Sequence, residues 1–340
     1  MASSFHNGQH AGAAGALTKY KGHSMKLASF LSPGAGVRVG IVDAPAGTIF
    51  DLTTASGGRI DRMQHLIESG ERGLDDAREL HAARAGDTLA LAEITLLAPV
   101  PVPVQMRDFS TFPGHIKNAP AGMARIAARM RGDDSAARDA RPLDEIPPAY
   151  AQMPIYYITN RFSVVGPDTT IPWPSYSKLM DFEAEFGIFL SRGGKNISAA
   201  QAREHIFGYT VYNDFSARDQ QCLEMRGMLG PTKGKSFDAG NAMGPWIVTA
   251  DEIPDPHDLA ISVTVNGDLW AEGNSGQMLF SFEKILEYVS RDETLFPGEF
   301  FGSGTIGNGC GLEQDRYLAD GDVVEITVAG IGTLRNKVAR

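Results

Sequence analysis

Cysteine is scarce in this 340-residue chain, with only Cys222 and Cys310 present. Two thiols cannot build a disulfide framework, and they suit a reducing compartment, so a cytoplasmic protein is expected. Long apolar runs are also missing. No stretch of about 18 such residues occurs, which excludes a helical membrane span. Positive charge is in deficit: 31 Lys and Arg against 41 Asp and Glu leave a formal net charge of −10. That balance argues against nucleic acid or an anionic membrane as the main partner. It leaves a small anionic substrate open, because local charge decides such binding. The Gly-rich stretch 230–248 lacks the spacing of a phosphate-binding loop. Residues 1–24 are rich in Gly, Ala and Ser and lack the apolar core of a signal peptide. They read as a flexible leader, with His6, His10 and His23 incidental to metal chemistry.

What is present points to an α+β, β-rich fold. Thirty-eight glycines and 19 prolines are spread along the chain, as many turns between strands require. Short strands, a helical stretch at 58–83 with a break near Gly70–Gly73, and a strand running from 89 into a proline-punctuated linker at 104 suggest a small N-terminal α+β domain over 25–104. It carries no chemistry-bearing cluster. Residues 105–340 form the second, catalytic domain in this reading.

The most informative stretch is DFEAEFGIFL, residues 181–190. Period two places Phe182, Ala184, Phe186, Ile188 and Leu190 on one strand face and Glu183 with Glu185 on the other. Two carboxylates about 6–7 Å apart along a strand repel, and if buried they need compensation. The next strand, 205–214, ends on Asp214. A third carboxylate there would complete an oxygen-only pocket for a hard divalent cation. Two capping boxes are expected nearby, Ser198 with Gln201 and Ser216 with Asp219. Asn266-Gly267 signals a type I′ hairpin. Ser281 opens a helix whose Phe282, Ile285, Leu286 and Val289 face the core. The Ala/Arg/Met-rich run 118–141 reads as helix with a solvated charged face, able to serve as a lid. Arg218 reads as a structural ion-pair partner, and both cysteines read as packing residues.

In order and spacing, DFEAEFG, YNDFSARDQQ, GKSFDAGNAMGPW, VNGDLWAEG and FGSGTIGNGCGLE resemble the fumarylacetoacetate hydrolase family, over roughly residues 105–338. The resemblance implies a mixed β-roll or β-sandwich catalytic domain and a homodimer. It implies Glu183, Glu185 and Asp214 as metal ligands, joined by Asp108 of RDFSTFPGH. It gives His115 the activation of water, Glu313 its orientation, and Lys235 the binding of substrate oxygens. Gln221, Thr305 and Tyr157 are implied as substrate contacts. Met225 stands where a second substrate tyrosine is expected, Ser110 where the eukaryotic enzymes carry tyrosine, and Arg125 is the candidate for a substrate arginine. The implied cofactor is Mg²⁺, with Mn²⁺ or Ca²⁺ as alternatives. The expected activity is metal-dependent hydrolysis of a C–C bond in a β-diketone or acylpyruvate-type acid. The alternative is decarboxylation, hydration or tautomerisation of a 2-oxo acid at the same site. A metal-stabilised binding module is the non-enzymatic reading.

Overall fold

The alternation in residues 182–190 is realised as a strand, Ala184–Leu190, that is buried on both faces. Phe182, Ala184, Phe186, Ile188 and Leu190 enter one hydrophobic core, while Phe189 packs into a second core with Phe300 and Tyr212. Phe186 meets Phe282 edge-on at 5.3 Å between ring centroids. Burying such a ring contributes about 1.5–3 kcal/mol. The polar face is therefore not solvated, and the two glutamates are held inside the protein. The computed structural model describes residues 25–34 and 36–340. The leader and its three histidines lie outside the described residues.

Ala184–Leu190 sits in a twelve-stranded mixed sheet. On one side it pairs antiparallel with Ile206–Asp214, setting Glu185 opposite Tyr212. On the other it pairs antiparallel with Phe300–Gly302, setting Gly187 opposite Gly302. Phe300–Gly302 runs parallel to Met106–Phe109, which places Gly302 beside Asp108. Tyr156–Ile158 closes this end, with Tyr157 opposite Asp108. The four carboxylate-bearing segments are thus brought together by strand register.

The N-terminal strands Lys26–Leu31, Val37–Asp43 and Thr48–Asp51 continue the same sheet, since Lys26 pairs with Val248 of Asn241–Thr249. The helix Met63–Ala82 packs on them through Met63, Leu66 and Ile67, and it breaks at Gly70, where φ is 57°. The strand expected from 89 onward, before the proline-punctuated linker, is broken into short pieces. Thr88–Ala90 and Thr95–Leu96 are short and separated by the turn Leu91–Glu93. Pro99, Pro101 and Pro103 have no N–H to donate to a ladder.

A second, five-stranded sheet packs against the first core and includes the hairpin Ala260–Val265 and Asp268–Asn274. Asn266 and Gly267 take the expected positive φ values of 54° and 85°. The helix Phe282–Val289 is capped by Ser281, which accepts from the Lys284 N–H, and it buries the four expected residues. The run 118–141 is divided between helices Pro113–Met130 and Asp134–Asp139. The first is a packed wall: at Gly122 a Cβ would come within 2.5 Å of the Leu312 carbonyl oxygen. Among the described residues, no helix is long and apolar enough to cross a membrane.

Candidate active site

Asp108, Glu183, Glu185 and Asp214 are all buried, and each offers an oxygen within 4.8 Å of the others'. Gly302 makes this approach possible. A Cβ there would stand 2.6 Å from Asp108 Oδ1 and 3.2 Å from Glu185 Oε2. Any side chain at that position would occupy the space between the carboxylates.

Two cations face the cluster. Lys235 Nζ donates to Glu183 and to Asp214, 2.5 Å from each. Arg218 is 1% exposed and binds Glu183 at 2.8 Å, Asp181 at 2.7 Å and the Gln221 side-chain oxygen Oε1 at 2.9 Å. Asp181 also accepts the N–H groups of Gly311 and Leu312. Five buried carboxylates, Asp108, Asp181, Glu183, Glu185 and Asp214, therefore share Lys235 and Arg218.

This imbalance appears in the ionisation of the carboxyls. Burial, then the Asp214 charge, pushes Asp108 well above the usual carboxylate range. Burial, then Asp108, does the same to Glu185. Burial also raises Asp214 against the opposing pull of Lys235. Glu183 differs: burial opposes its charge, but Lys235, Arg218 and His115 hold it well below the ordinary value. Asp108 Oδ1 and Asp214 Oδ1 are buried without hydrogen-bond partners. Unpaired hard oxygens beside excess negative charge suit a divalent cation bound by oxygen alone. The residues present therefore fit such an ion.

His115 lies in the first turn of Pro113–Met130, and its Nδ1 is 2.8 Å from Glu313 Oε1. Glu313 also accepts from Asn118 at 3.0 Å and from the Asn308 N–H at 2.8 Å. Burial raises its carboxyl, yet these bonds bring it below the ordinary value. The Cys310 thiol lies 3.4 Å from the same oxygen, so this cysteine touches the pair as well as packing beside it. The His115 ring is close enough to the carboxylates for its charge to act on Glu183, after those of Lys235 and Arg218.

The other expected contacts are placed variously. Tyr157 donates its hydroxyl to Asp214 at 2.5 Å, and the Thr305 hydroxyl lies 3.3 Å from Glu185. Both are committed to the carboxylates. Gln221 is buried against Arg218. Met225 is 43% exposed on the turn Met225–Gly227, outside this hydrogen-bonded cluster. Arg125 does not face it either, since its Nη2 donates to the carbonyls of Leu312 and Glu313.

Neither capping box forms. Ser198 bonds the Gln201 side chain instead of a helix N–H. Ser216 belongs to a two-residue strand and donates to the Asp214 carbonyl, while Asp219 holds Ser177 and the Lys178 N–H. A local carbonyl has taken Ser216, and tertiary partners have taken Asp219. Sequence reasoning missed Asp181, which anchors Arg218. It also missed Glu224, whose carboxylate takes the N–H groups of Thr232, Lys233 and Gly234 and so fixes the loop bearing Lys235. Asp181 stood in the opening motif, two residues before Glu183, and that spacing was its available signal.

Comparison with known proteins agrees with this architecture. The family model for the fumarylacetoacetate (FAA) hydrolase C-terminal region matches residues 125–339. A Xenopus laevis protein named oxaloacetate tautomerase fahd2, mitochondrial, is 33% identical over 319 residues, covering 93% of this chain and 90% of its own. The solved fumarylacetoacetate hydrolase of psychrophilic Exiguobacterium antarcticum is 29% identical with a TM-score of 0.72, over 93% of this chain and all of that one. The 2-hydroxyhepta-2,4-diene-1,7-dioate isomerase structure from Mycobacterium marinum is 28% identical with a TM-score of 0.64, over 93% and 99% of the two chains.

Proposed function

The chain belongs to the fumarylacetoacetate hydrolase family, and from that premise we propose that it is a divalent-metal-dependent enzyme that hydrolyses a C–C bond in a small β-diketone or acylpyruvate-type acid. The observation that carries this reading is the His115–Glu313 pair, with His115 near enough for its charge to act on Glu183 of the buried carboxylate cluster. Asp108, Glu183, Glu185 and Asp214 would hold the cation, with Mg²⁺ the first choice. Such an ion, when bound, polarises two substrate oxygens and stabilises an enolate.

The protein's own groups divide the remaining work. Glu313 fixes the His115 tautomer through Nδ1, leaving Nε2 to take a proton from water. The resulting hydroxide adds to the carbonyl carbon. When the adjacent C–C bond breaks, its electron pair passes to the departing carbon as an enolate. The proton held by His115 is then available to return to that carbon, giving two acid or ketone fragments and consuming one water. Lys235 stays charged: burial is the largest single influence and opposes its charge, but Asp214 and Glu183 together raise it above the ordinary value. It is placed to donate a hydrogen bond to negative oxygen. Glu224 positions Lys235 through the loop backbone. The enzyme is proposed to be cytoplasmic and homodimeric.

A second reading is tautomerisation of a 2-oxo acid, favoured by the name of the Xenopus relative. The same histidine would then move a proton between carbon and oxygen without water. A panel of acylpyruvates, β-diketo acids and oxaloacetate, incubated with Mg²⁺ or with EDTA, separates the two. Fragments whose masses sum to substrate plus water, formed only with metal, support hydrolysis. Intact substrate that exchanges its carbon-bound hydrogen faster with enzyme than without supports tautomerisation.

A further inference from the structure

Away from the carboxylates, positive charge gathers in one cavity of about 300 Å³, lined by Arg125, Arg129, Arg138, Arg141 and Asp315 among others. Its walls come from the helices Pro113–Met130 and Asp134–Asp139, the residues following the second, and the end of Gly311–Gln314. This concentration occurs in a chain of net charge −10. Glu313 borders the cavity, but its carboxylate is buried and taken by His115, Asn118 and Asn308. Among the described residues, Asp315 is the carboxylate that forms ion pairs with these arginines. It binds Arg129 at 2.6 and 2.5 Å and lies 3.8 Å from Arg125 Nε.

Among the described residues, Arg138 and Arg141 have no carboxylate partner, and Arg141 donates to the carbonyls of Arg138 and Ala140. Arg125 Nε is buried without a hydrogen bond. A solvated helix face would explain arginines spread around one helix. It does not explain guanidinia from two helices and a following segment lining one concavity, where small Ala137 and Ala140 leave room. Guanidinium remains charged, and its planar fork matches carboxylate and phosphate oxygens.

We propose that this cavity binds a small multiply charged oxyanion, a di- or tricarboxylate or a phosphate-bearing metabolite. A cavity of this size accommodates a ligand of about ten heavy atoms. Arg125 Nη2 donates to the Leu312 and Glu313 carbonyls at 3.0 Å and so ties the cavity wall to the backbone of Glu313. The cavity is a site separate from the carboxylate cluster.

The test is calorimetric titration of the full chain with bound Mg²⁺ at constant ionic strength. The probes are propane-1,2,3-tricarboxylate and inorganic phosphate, with acetate as the singly charged reference. Saturable binding of a multivalent probe is expected. In Arg138→Ala/Arg141→Ala it should weaken by about tenfold or more. Both residues are exposed, so the thermal midpoint and basal turnover should be kept. Binding of the tricarboxylate alone identifies a carboxylic-acid ligand, and binding of phosphate alone a phosphate-bearing one. The proposal is overturned if neither probe binds better than acetate. It is equally overturned if the double variant binds like wild type, since the anion would then lie elsewhere.

Discussion

Replacing Glu185 by Gln should give a variant at least as stable as wild type without metal but less stable than wild type with it. The residue is buried, and burial together with Asp108 opposes its ionisation. Glutamine has nearly the same shape, and its carbonyl can still accept from the Gly304 N–H, now 2.9 Å away, or from Thr305. Because ionisation of this carboxyl is already opposed, a neutral amide in its place should leave the metal-free variant at least as stable as wild type. With metal the order changes. At a free ion concentration about a hundred times Kd, binding stabilises wild type by about 2.7 kcal/mol. For a chain of this length that is about 4 °C in thermal midpoint. Glu185→Gln should lose most of that gain. Thermal melts of both proteins in EDTA and in excess Mg²⁺, Mn²⁺ or Ca²⁺ supply the measurement. Equal metal-induced shifts in the two proteins would refute the reasoning.

Three further outcomes are expected. His115→Ala should keep the metal-induced thermal shift yet lose on the order of 10²–10⁴ in turnover; an unchanged rate would remove His115 from the chemistry. Gly187→Ala should cost about 1–3 kcal/mol or more in denaturant unfolding, because its Cβ would meet the Phe300 ring at 2.3 Å and the Phe301 carbonyl at 2.6 Å; a neutral change would show that the strands can separate freely. The hydrogen bond from His257 overcomes burial and lowers Glu283 to about 2 from an ordinary 4.5. Its contribution is therefore present above the unfolded value and lost as pH falls from about 5 toward 2. After solvent screening it is on the order of 1 kcal/mol. His257→Ala should flatten that part of the acid unfolding curve, and an unaltered slope would count against the pairing.

Much of the site was legible because strand periodicity is local. The five apolar residues of 182–190 alternate without interruption, and they enter one core as the pattern requires. The hairpin at Asn266-Gly267 and the Ser281 cap were legible for the same reason. Asp108 could not be joined to the glutamates from spacing, because its place depends on two successive strand pairings through Gly302. Motif resemblance supplied that link. The second capping box failed because Ser216 turned back to the Asp214 carbonyl and Asp219 found distant partners in Ser177 and Lys178. Full burial of Arg218 between Asp181 and Glu183 was illegible as well, since a lone arginine in a turn carries no mark of its depth.

The most direct measurement of the proposed activity is turnover of an acylpyruvate in oxygen-18-labelled water with Mg²⁺, analysed by mass spectrometry. Metal-dependent hydrolysis aided by His115 predicts one labelled oxygen in the newly formed carboxylate, no product in EDTA, and a sharply reduced yield in His115→Ala. Substrate recovered intact across an acylpyruvate and β-diketo acid panel, with metal-dependent hydrogen exchange at carbon and no labelled fragment, would contradict hydrolysis and assign the site to tautomerisation.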